Sequence, residues 1–209
     1  MGHTNLGDIV IDIAQNAASS GADLVELEIW ERPDREFRFT LRDNGRGMSG
    51  ERLEAVRKAA ADYVKAGVEP PAASRQGTPP TPSRRGTPPI LSRRGLGIPF
   101  MALAAFGSGG GWELKSEEGR GTEVSAWFGL APGAAQKAGF LPPGDISGTV
   151  RTVLLFEGPE EVLVRRKRDG GKEALEYEVR KTELVRVLGD LRKGEALVLV
   201  EKYLRSIEP

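Results

Sequence analysis

A glycine-rich bend between a strand and a helix is the feature that most restricts the fold. Residues 43–49 read DNGRGMS and follow residues 37–41, where apolar and polar side chains alternate as in a strand. Gly45 and Gly47 have no Cβ, so this backbone can approach a ligand closely. An Asp-Asn-Gly turn between two strands is the ordinary alternative. Residues 53–64 instead have apolar side chains at helical spacing, which argues against a simple hairpin turn.

The first segment predicts an amphipathic helix that presents two polar side chains on one side. Apolar residues recur at three- and four-residue spacing over residues 6–17, with Thr4 or Asn5 as the N-cap. Asp12 and Asn16 are four residues apart, so their side chains emerge on the same side, one turn apart. An isolated pair of this kind is usually a solvated helix edge, and its meaning depends on the neighbouring motifs.

A tandem repeat precedes a second glycine-rich motif. Residues 74–97 contain SRQGTPP, SRRGTPP and SRRGLG with a period of nine residues. The last copy ends in Gly-Leu-Gly and runs into an apolar stretch compatible with a helix. The free amide groups at such a helix start suit an anion, and above all a phosphate. Residues 112–116 and 121–128 then predict two further strands.

Composition excludes several classes of function. The chain has 209 residues, no cysteine and one histidine, so disulfides, thiolate metal sites and histidine clusters are absent. Thirty basic and thirty acidic residues cancel, and no apolar run is long enough to span a membrane. We therefore expect a cytoplasmic protein with no nucleic-acid or membrane partner. The three asparagines, Asn5, Asn16 and Asn44, are so few that each is expected to have a specific role.

The order of these motifs over residues 5–130 resembles the Bergerat-type ATP-binding fold. That superfamily includes gyrase, the heat-shock chaperone, histidine kinases and MutL. The resemblance implies an α+β protein, a two-layer α/β sandwich with helices on one face of a mixed sheet. It also implies ATP and Mg²⁺ as ligands.

The resemblance further implies roles for individual residues. Asp43 would accept the adenine amino group, Thr122 would help to bind the base through water, and Asn16 would hold Mg²⁺ against the triphosphate. Asp12 lies where superfamily ATPases and kinases of the anti-sigma type have a glutamate as general base. The other binding residues would lie under the base or beside the phosphates: Gly45, Gly47, Arg94, Gly95, Leu96 and Gly97.

Four regions follow from this interpretation. Residues 1–130 form the ATP-binding domain, with residues 67–94 as its lid, and residues 131–148 form a linker. Residues 149–209 form a small α+β appendage. Its predicted strands are 150–156, 161–167 and 174–179, and its predicted helices are 181–189 and 195–206.

Two details of the sequence bear on partners. The appendage resembles the tail of small stand-alone bacterial ATP-binding proteins of the histidine-kinase-like group, some of which are linked to iron-hydrogenase systems. The basic cluster at residues 165–168 is interpreted as a solvated hairpin end rather than a nucleic-acid contact.

Two functional hypotheses stay open. The first motif starts too early for a preceding phosphoacceptor unit, so a complete histidine kinase is not expected, and His3 is interpreted as an ordinary terminal residue. Gyrase- and MutL-like proteins need a transducer domain and fit poorly. The chain is then a slow ATPase or a Ser/Thr kinase of the anti-sigma type that acts on an unidentified protein partner. Alternatively, it is a nucleotide-responsive binding module with negligible hydrolysis.

Overall fold

The computed structural model describes residues 3–67, 97–130, 141–170 and 174–208. In chain order its elements are α1 (Leu6–Ala18), β1 (Leu24–Arg32), β2 (Glu36–Asp43), α2 (Gly50–Lys65), α3 (Gly97–Gly107), β3 (Gly111–Glu117), β4 (Gly121–Gly129), α4 (Ile146–Leu154), β5 (Glu161–Arg168), β6 (Leu175–Arg180), α5 (Lys181–Leu188) and α6 (Gly194–Ile207).

The strands form one six-stranded sheet in the order β3-β4-β2-β1-β5-β6. Strands β1 and β5 are parallel, and every other neighbouring pair is antiparallel. The sheet is therefore mixed, and helices α1, α3 and α4 pack against it. This arrangement confirms the predicted two-layer α/β sandwich.

The alternation of side chains explains how the two layers form. Leu27, Phe39 and Ala126 point to the same face of three neighbouring strands, and each is at most 1% exposed. Successive strand residues point to opposite faces, so every second side chain enters the core beneath the helices. The intervening residues, such as Glu28 and Arg42, form the outer face of the sheet.

One predicted element is wrong. Residues 150–156 were predicted to form a strand, but residues 146–154 form helix α4. The side chain of Asp145 accepts a hydrogen bond from the amide of Gly148 at 2.9 Å and so caps this helix. Its apolar residues then recur at helical spacing and are buried: Ile146, Val150, Val153 and Leu154. The cap lies within the segment that was predicted to be a linker.

The C-terminal region shares its core with the rest of the chain. β5 pairs with β1 over its whole length, so the predicted appendage extends the same sheet. α4 contacts both α1 and α6, and its buried residues belong to the same hydrophobic core as those of α1. The helices predicted at 181–189 and 195–206 correspond to α5 and α6.

The basic cluster at residues 165–168 does not form a single patch. Because it lies on β5, its side chains alternate between the two faces of the sheet. Arg165 pairs with Glu178 on the outer face, at 2.9 Å. Arg166 is only 1% exposed and pairs with Glu31 and Glu208.

Except for Gly67, the predicted lid lies outside the described residues. Among the residues described, no helix combines the length and apolar character that a membrane-spanning helix needs.

We expect the buried ion pairs of Arg166 to contribute strongly to the free energy of unfolding. Glu31→Ala removes one of its carboxylate partners and should lower the free energy of unfolding by about 3 kcal/mol, the lower end of the range for broken buried ion pairs because Glu208 remains. Glu178→Ala breaks an exposed pair and should cost at most about 1 kcal/mol. Urea denaturation of both variants measures the difference, and equal losses would contradict this role for Arg166.

Candidate functional site

Helix α1 is fixed at its N-terminus by side-chain and backbone hydrogen bonds. Asn5 and Asp8 form a capping box, in which the Asn5 side chain accepts from the amide of Asp8 at 2.9 Å. The amides of Leu6 and Gly7 donate to the carbonyl oxygens of residues 142 and 143, at 2.8 and 3.1 Å. The segment that leads into α4 therefore holds the start of α1, and this sets the position of the polar side chains further along the helix.

The side chains of Asp12 and Asn16, which belong to α1, lie next to the first residue of helix α3. A Cβ built at Gly97 would be 2.7 Å from Oδ2 of Asp12 and 3.5 Å from Nδ2 of Asn16. The absence of a side chain at Gly97 lets the first turn of α3 lie this close to Asp12 without displacing its carboxylate. The structure thus brings Asp12, Asn16 and Gly97 close together.

The C-terminal end of α1 contacts the end of strand β2. Ser20 donates a hydrogen bond from Oγ to Oδ1 of Asp43 at 3.1 Å, and the amide of Gly45 donates to the same oxygen at 2.9 Å. Burial raises the pKa of the Asp43 carboxyl, while hydrogen bonds from Gly45, Ser20 and the Thr122 backbone act in the opposite direction. A desolvated carboxylate at the end of a core strand is suited to accepting a hydrogen bond from a ligand.

The glycine-rich bend packs tightly against the hairpin of β3 and β4. Gly47 has a φ of +61°, and a Cβ there would overlap the carbonyl oxygen of Glu117. The amide of Met48 donates to Oγ of Ser116 at 2.9 Å, and Ser116 also lies 2.9 Å from Oγ1 of Thr122. The bend is therefore held in a single conformation, and Thr122 lies opposite Asp43 in the sheet.

Helix α1 connects the two ends of this site. Asp12 lies six residues before Ala18, the last residue of α1, which corresponds to about 9 Å along the helix, and Ser20 follows two residues after the helix ends. One end has Asp12, Asn16 and Gly97, and the other has Ser20 and Asp43. The site is an elongated surface that can hold a ligand with two chemically different ends.

The three asparagines differ in the hydrogen bonds that their side chains make. Asn5 caps α1, and Oδ1 of Asn44 accepts from the amides of Asp23 and Leu24 at 2.9 and 3.0 Å. Asn16 is exposed, and its side chain makes no hydrogen bond to any described residue. Only Asn16 is therefore left without a structural role that the described residues explain.

Several sequence predictions cannot be placed, and three residues were missed. Arg94, Gly95 and Leu96 lie outside the described residues. Ser20, Ser116 and His3 were not predicted to belong to the site. The positions of both serines depend on contacts between elements distant in sequence. His3, interpreted above as an ordinary terminal residue, has a side chain that is only 13% exposed.

The donor set of the site fits a magnesium ion that is shared with a ligand. Within the described ranges, no group of three His, Cys, Asp or Glu side chains could hold a metal ion alone. Mg²⁺ is commonly bound by one or two protein oxygens together with substrate phosphates. The exposed amide oxygen of Asn16 meets this requirement, because no described residue occupies it.

A second depression lies on the outer face of the sheet. It has a volume of about 780 Å³ and is lined by Trp30, Arg38, Arg165 and Tyr177 among others. Its arginines are already engaged, since Arg165 pairs with glutamates and Arg38 lies 5.6 Å from the ring of Trp30. The candidate site along α1 differs in that the side chain of Asn16 has no hydrogen-bond partner among the described residues.

Residues 3–132 match the model of the family described as histidine kinase-, DNA gyrase B- and HSP90-like ATPases. The match covers more than half of the chain, so this protein belongs to that family. It confirms the resemblance drawn from the motifs, and membership in the family supports ATP binding. Among curated proteins, the chain has no match.

Two solved structures are weakly similar to the chain. The N-terminal domain of a DNA repair protein is 10% identical with a TM-score of 0.40, and the alignment covers 90% of this chain and 58% of that one. The MutL ATPase domain of Aquifex aeolicus, complexed with ADP, is 16% identical with a TM-score of 0.38. That alignment covers 91% of this chain and 70% of the MutL chain. Similarities this weak do not bear on the family of the chain, which is shown by the match over residues 3–132.

We predict that Gly47 cannot be replaced without loss of stability. Gly47→Ala combines a positive φ with overlap of the Glu117 carbonyl, and we expect a loss of about 2–4 kcal/mol in unfolding free energy. Gly50→Ala is the matched control, because a Cβ at Gly50 meets nothing within 4 Å. It should be neutral or stabilise by up to about 1 kcal/mol. Thermal and urea denaturation compare the two, and equal stabilities would show that the bend is not fixed as described.

Proposed function

We propose that the protein binds Mg·ATP along helix α1 and transfers the γ-phosphoryl group. Water is the acceptor when the protein is alone, and a hydroxyl group of a partner protein is the acceptor when one is bound. The observation that carries the proposal is the pairing of Asp12 and Asn16 beside Gly97 with Ser20 and Asp43 at the other end of the helix.

The Asp43 end of the site is proposed to bind adenine. The carboxylate accepts a hydrogen bond from the exocyclic amine of the base, and Ser20 and the Gly45 amide fix its orientation. Adenine presents an amine donor where guanine presents a carbonyl acceptor, so a carboxylate favours adenine. Gly45 and Gly47 keep the floor of this region free of side chains.

The Asp12 end is proposed to hold the phosphates. Asn16 contributes an oxygen ligand to Mg²⁺, and the ion, when bound, neutralises charge on the phosphate oxygens. Asp12 accepts the proton of the attacking water or hydroxyl group as general base. Its side chain is 45% exposed, so a water molecule can reach it. Gly97 leaves room for the phosphates because it adds no side chain between α3 and α1.

The adenine assignment predicts a preference for ATP over GTP. Asp43→Ala should weaken ATP binding by about 1–3 kcal/mol, or roughly tenfold to hundredfold in Kd. Asp43→Asn offers an amide donor to the guanine carbonyl, so it should narrow the difference between the two nucleotides. Isothermal titration calorimetry with both nucleotides measures these changes.

Asp23→Ala serves as the control for this pair of variants. Asp23 is an exposed aspartate close to Asn44, and its replacement should leave both affinities unchanged. Equal affinities of the wild type for ATP and GTP would contradict the adenine assignment.

The phosphate assignment predicts that replacing Asp12 and replacing Asn16 have different effects on nucleotide affinity and on phosphate release. Asp12→Asn should preserve nucleotide affinity and lower the rate of phosphate release by about 10²–10⁴-fold, the usual contribution of a general base. Asn16→Ala should weaken binding and turnover together, because it removes a metal ligand. Steady-state phosphate release and calorimetry separate the two effects.

Gln15→Ala changes an exposed neighbour on the same helix and should alter neither property. If wild type and Asp12→Asn release phosphate equally slowly, at the rate of buffer, the protein is a nucleotide-responsive binding module instead.

A further inference from the structure

The side chain of His3 reaches the proposed general base from the segment before α1. Its Nε2 lies 3.4 Å from Oδ2 of Asp12. The side chain of His3 is 13% exposed, whereas that of Asp12 is 45% exposed. No step of the proposed function above uses this residue.

The imidazole of His3 contacts one aromatic ring, which in turn contacts a second ring. Its ring meets Phe100 of α3 edge to face, with centroids 5.6 Å apart. Phe100 meets Tyr63 of α2 in the same manner at 5.4 Å. Edge-to-face contacts of this kind stabilise a defined orientation of the rings. The imidazole therefore approaches Asp12 from a fixed direction.

The two nitrogens of His3 have different surroundings. Nε2 faces Asp12, while Nδ1 is buried and has no hydrogen-bond partner among the described residues. A buried N–H group without a partner is rarer than a buried acceptor without one. We therefore place an N–H group on Nε2, where it faces the carboxylate oxygen of Asp12.

The neighbouring carboxylate, Asp8, also interacts electrostatically with His3, which is among the causes that lower the pKa of Asp8, but its hydrogen bonds are made with other groups. Asp8 lies one turn before Asp12 and accepts hydrogen bonds from the backbone and hydroxyl of Thr4 and from the amide of Asn5. It is thus committed to the cap of α1. Oδ2 of Asp12 lies between His3 and the start of α3, where a Cβ at Gly97 would be 2.7 Å away.

We propose that His3 is a positioning residue that orients the carboxylate of Asp12 for phosphoryl transfer. Nε2–H holds Oδ2 and leaves the second oxygen of Asp12 for the attacking water or hydroxyl group. This inference rests on the proposed function, because it gives Asp12 the role of general base.

Two substitutions separate positioning from packing. His3→Phe retains an aromatic ring against Phe100 but has no N–H group, and His3→Gln loses the ring but retains an N–H donor. His3→Phe should lower kcat about tenfold to hundredfold, a usual cost of misplacing a reacting group, and leave the Kd for Mg·ATP within about threefold. His3→Gln should keep kcat within about threefold of the wild type. In an Asp12→Asn background, His3→Phe should cause no further loss.

The contact itself is measured independently of turnover. His3 is the only histidine in the chain, so its ring C–H signals are identified directly in a proton NMR spectrum. At constant pH, Asp12→Asn should shift these signals, and Gln15→Ala should not.

The outcomes distinguish this inference from the proposed function. Unchanged turnover in Asp12→Asn, or a wild type without turnover, overturns the general base and the role of His3 together. A loss in Asp12→Asn with full activity in His3→Phe leaves the general base in place and overturns the positioning role alone. Full activity in His3→Phe with a loss in His3→Gln would show that the ring acts by packing. Ring signals that Asp12→Asn does not move would also overturn the inference.

Discussion

The placement of helix α1 is the constraint on which the rest of the structure depends. One side of the helix is buried in the core through residues such as Ile9 and Ile13, and this fixes its rotation. Its N-terminal amides donate to carbonyl oxygens of the segment before α4, and Ser20 at its C-terminal end bonds Asp43. With rotation and both ends fixed, the exposed edge with Asp12 and Asn16 has a defined position relative to β2 and α3.

This constraint explains why the C-terminal region belongs to the functional unit. The family match ends at residue 132, yet residues 142 and 143 bond the start of α1 and α4 packs beside it. Strand β5 extends the sheet next to β1, and the buried Arg166 connects β5 to Glu31 on β1 and to Glu208 beyond α6. We therefore expect a change in the C-terminal region to affect the orientation of α1.

Much of this arrangement follows from local sequence patterns. The alternation of Phe37, Phe39 and Leu41 predicts β2, and the spacing of Asp12 and Asn16 predicts their common side of α1. Helix α4 was not predicted, because the apolar run of residues 150–156 suits either a strand or a buried helix and its cap, Asp145, lies outside that run. The parallel pairing of β5 with β1 and the contact of His3 with Asp12 join residues that no short-range pattern connects.

The central claim is that α1 and the end of β2 form one ATP site, and a crystal structure with Mg²⁺ and a non-hydrolysable ATP analogue tests it most directly. We predict that the adenine amine lies within hydrogen-bonding distance of Asp43, at about 3 Å. The metal should contact the side-chain oxygen of Asn16, and the γ-phosphate should lie near Asp12. A nucleotide bound in the depression on the outer face of the sheet, or adenine placed away from Asp43, would contradict the account.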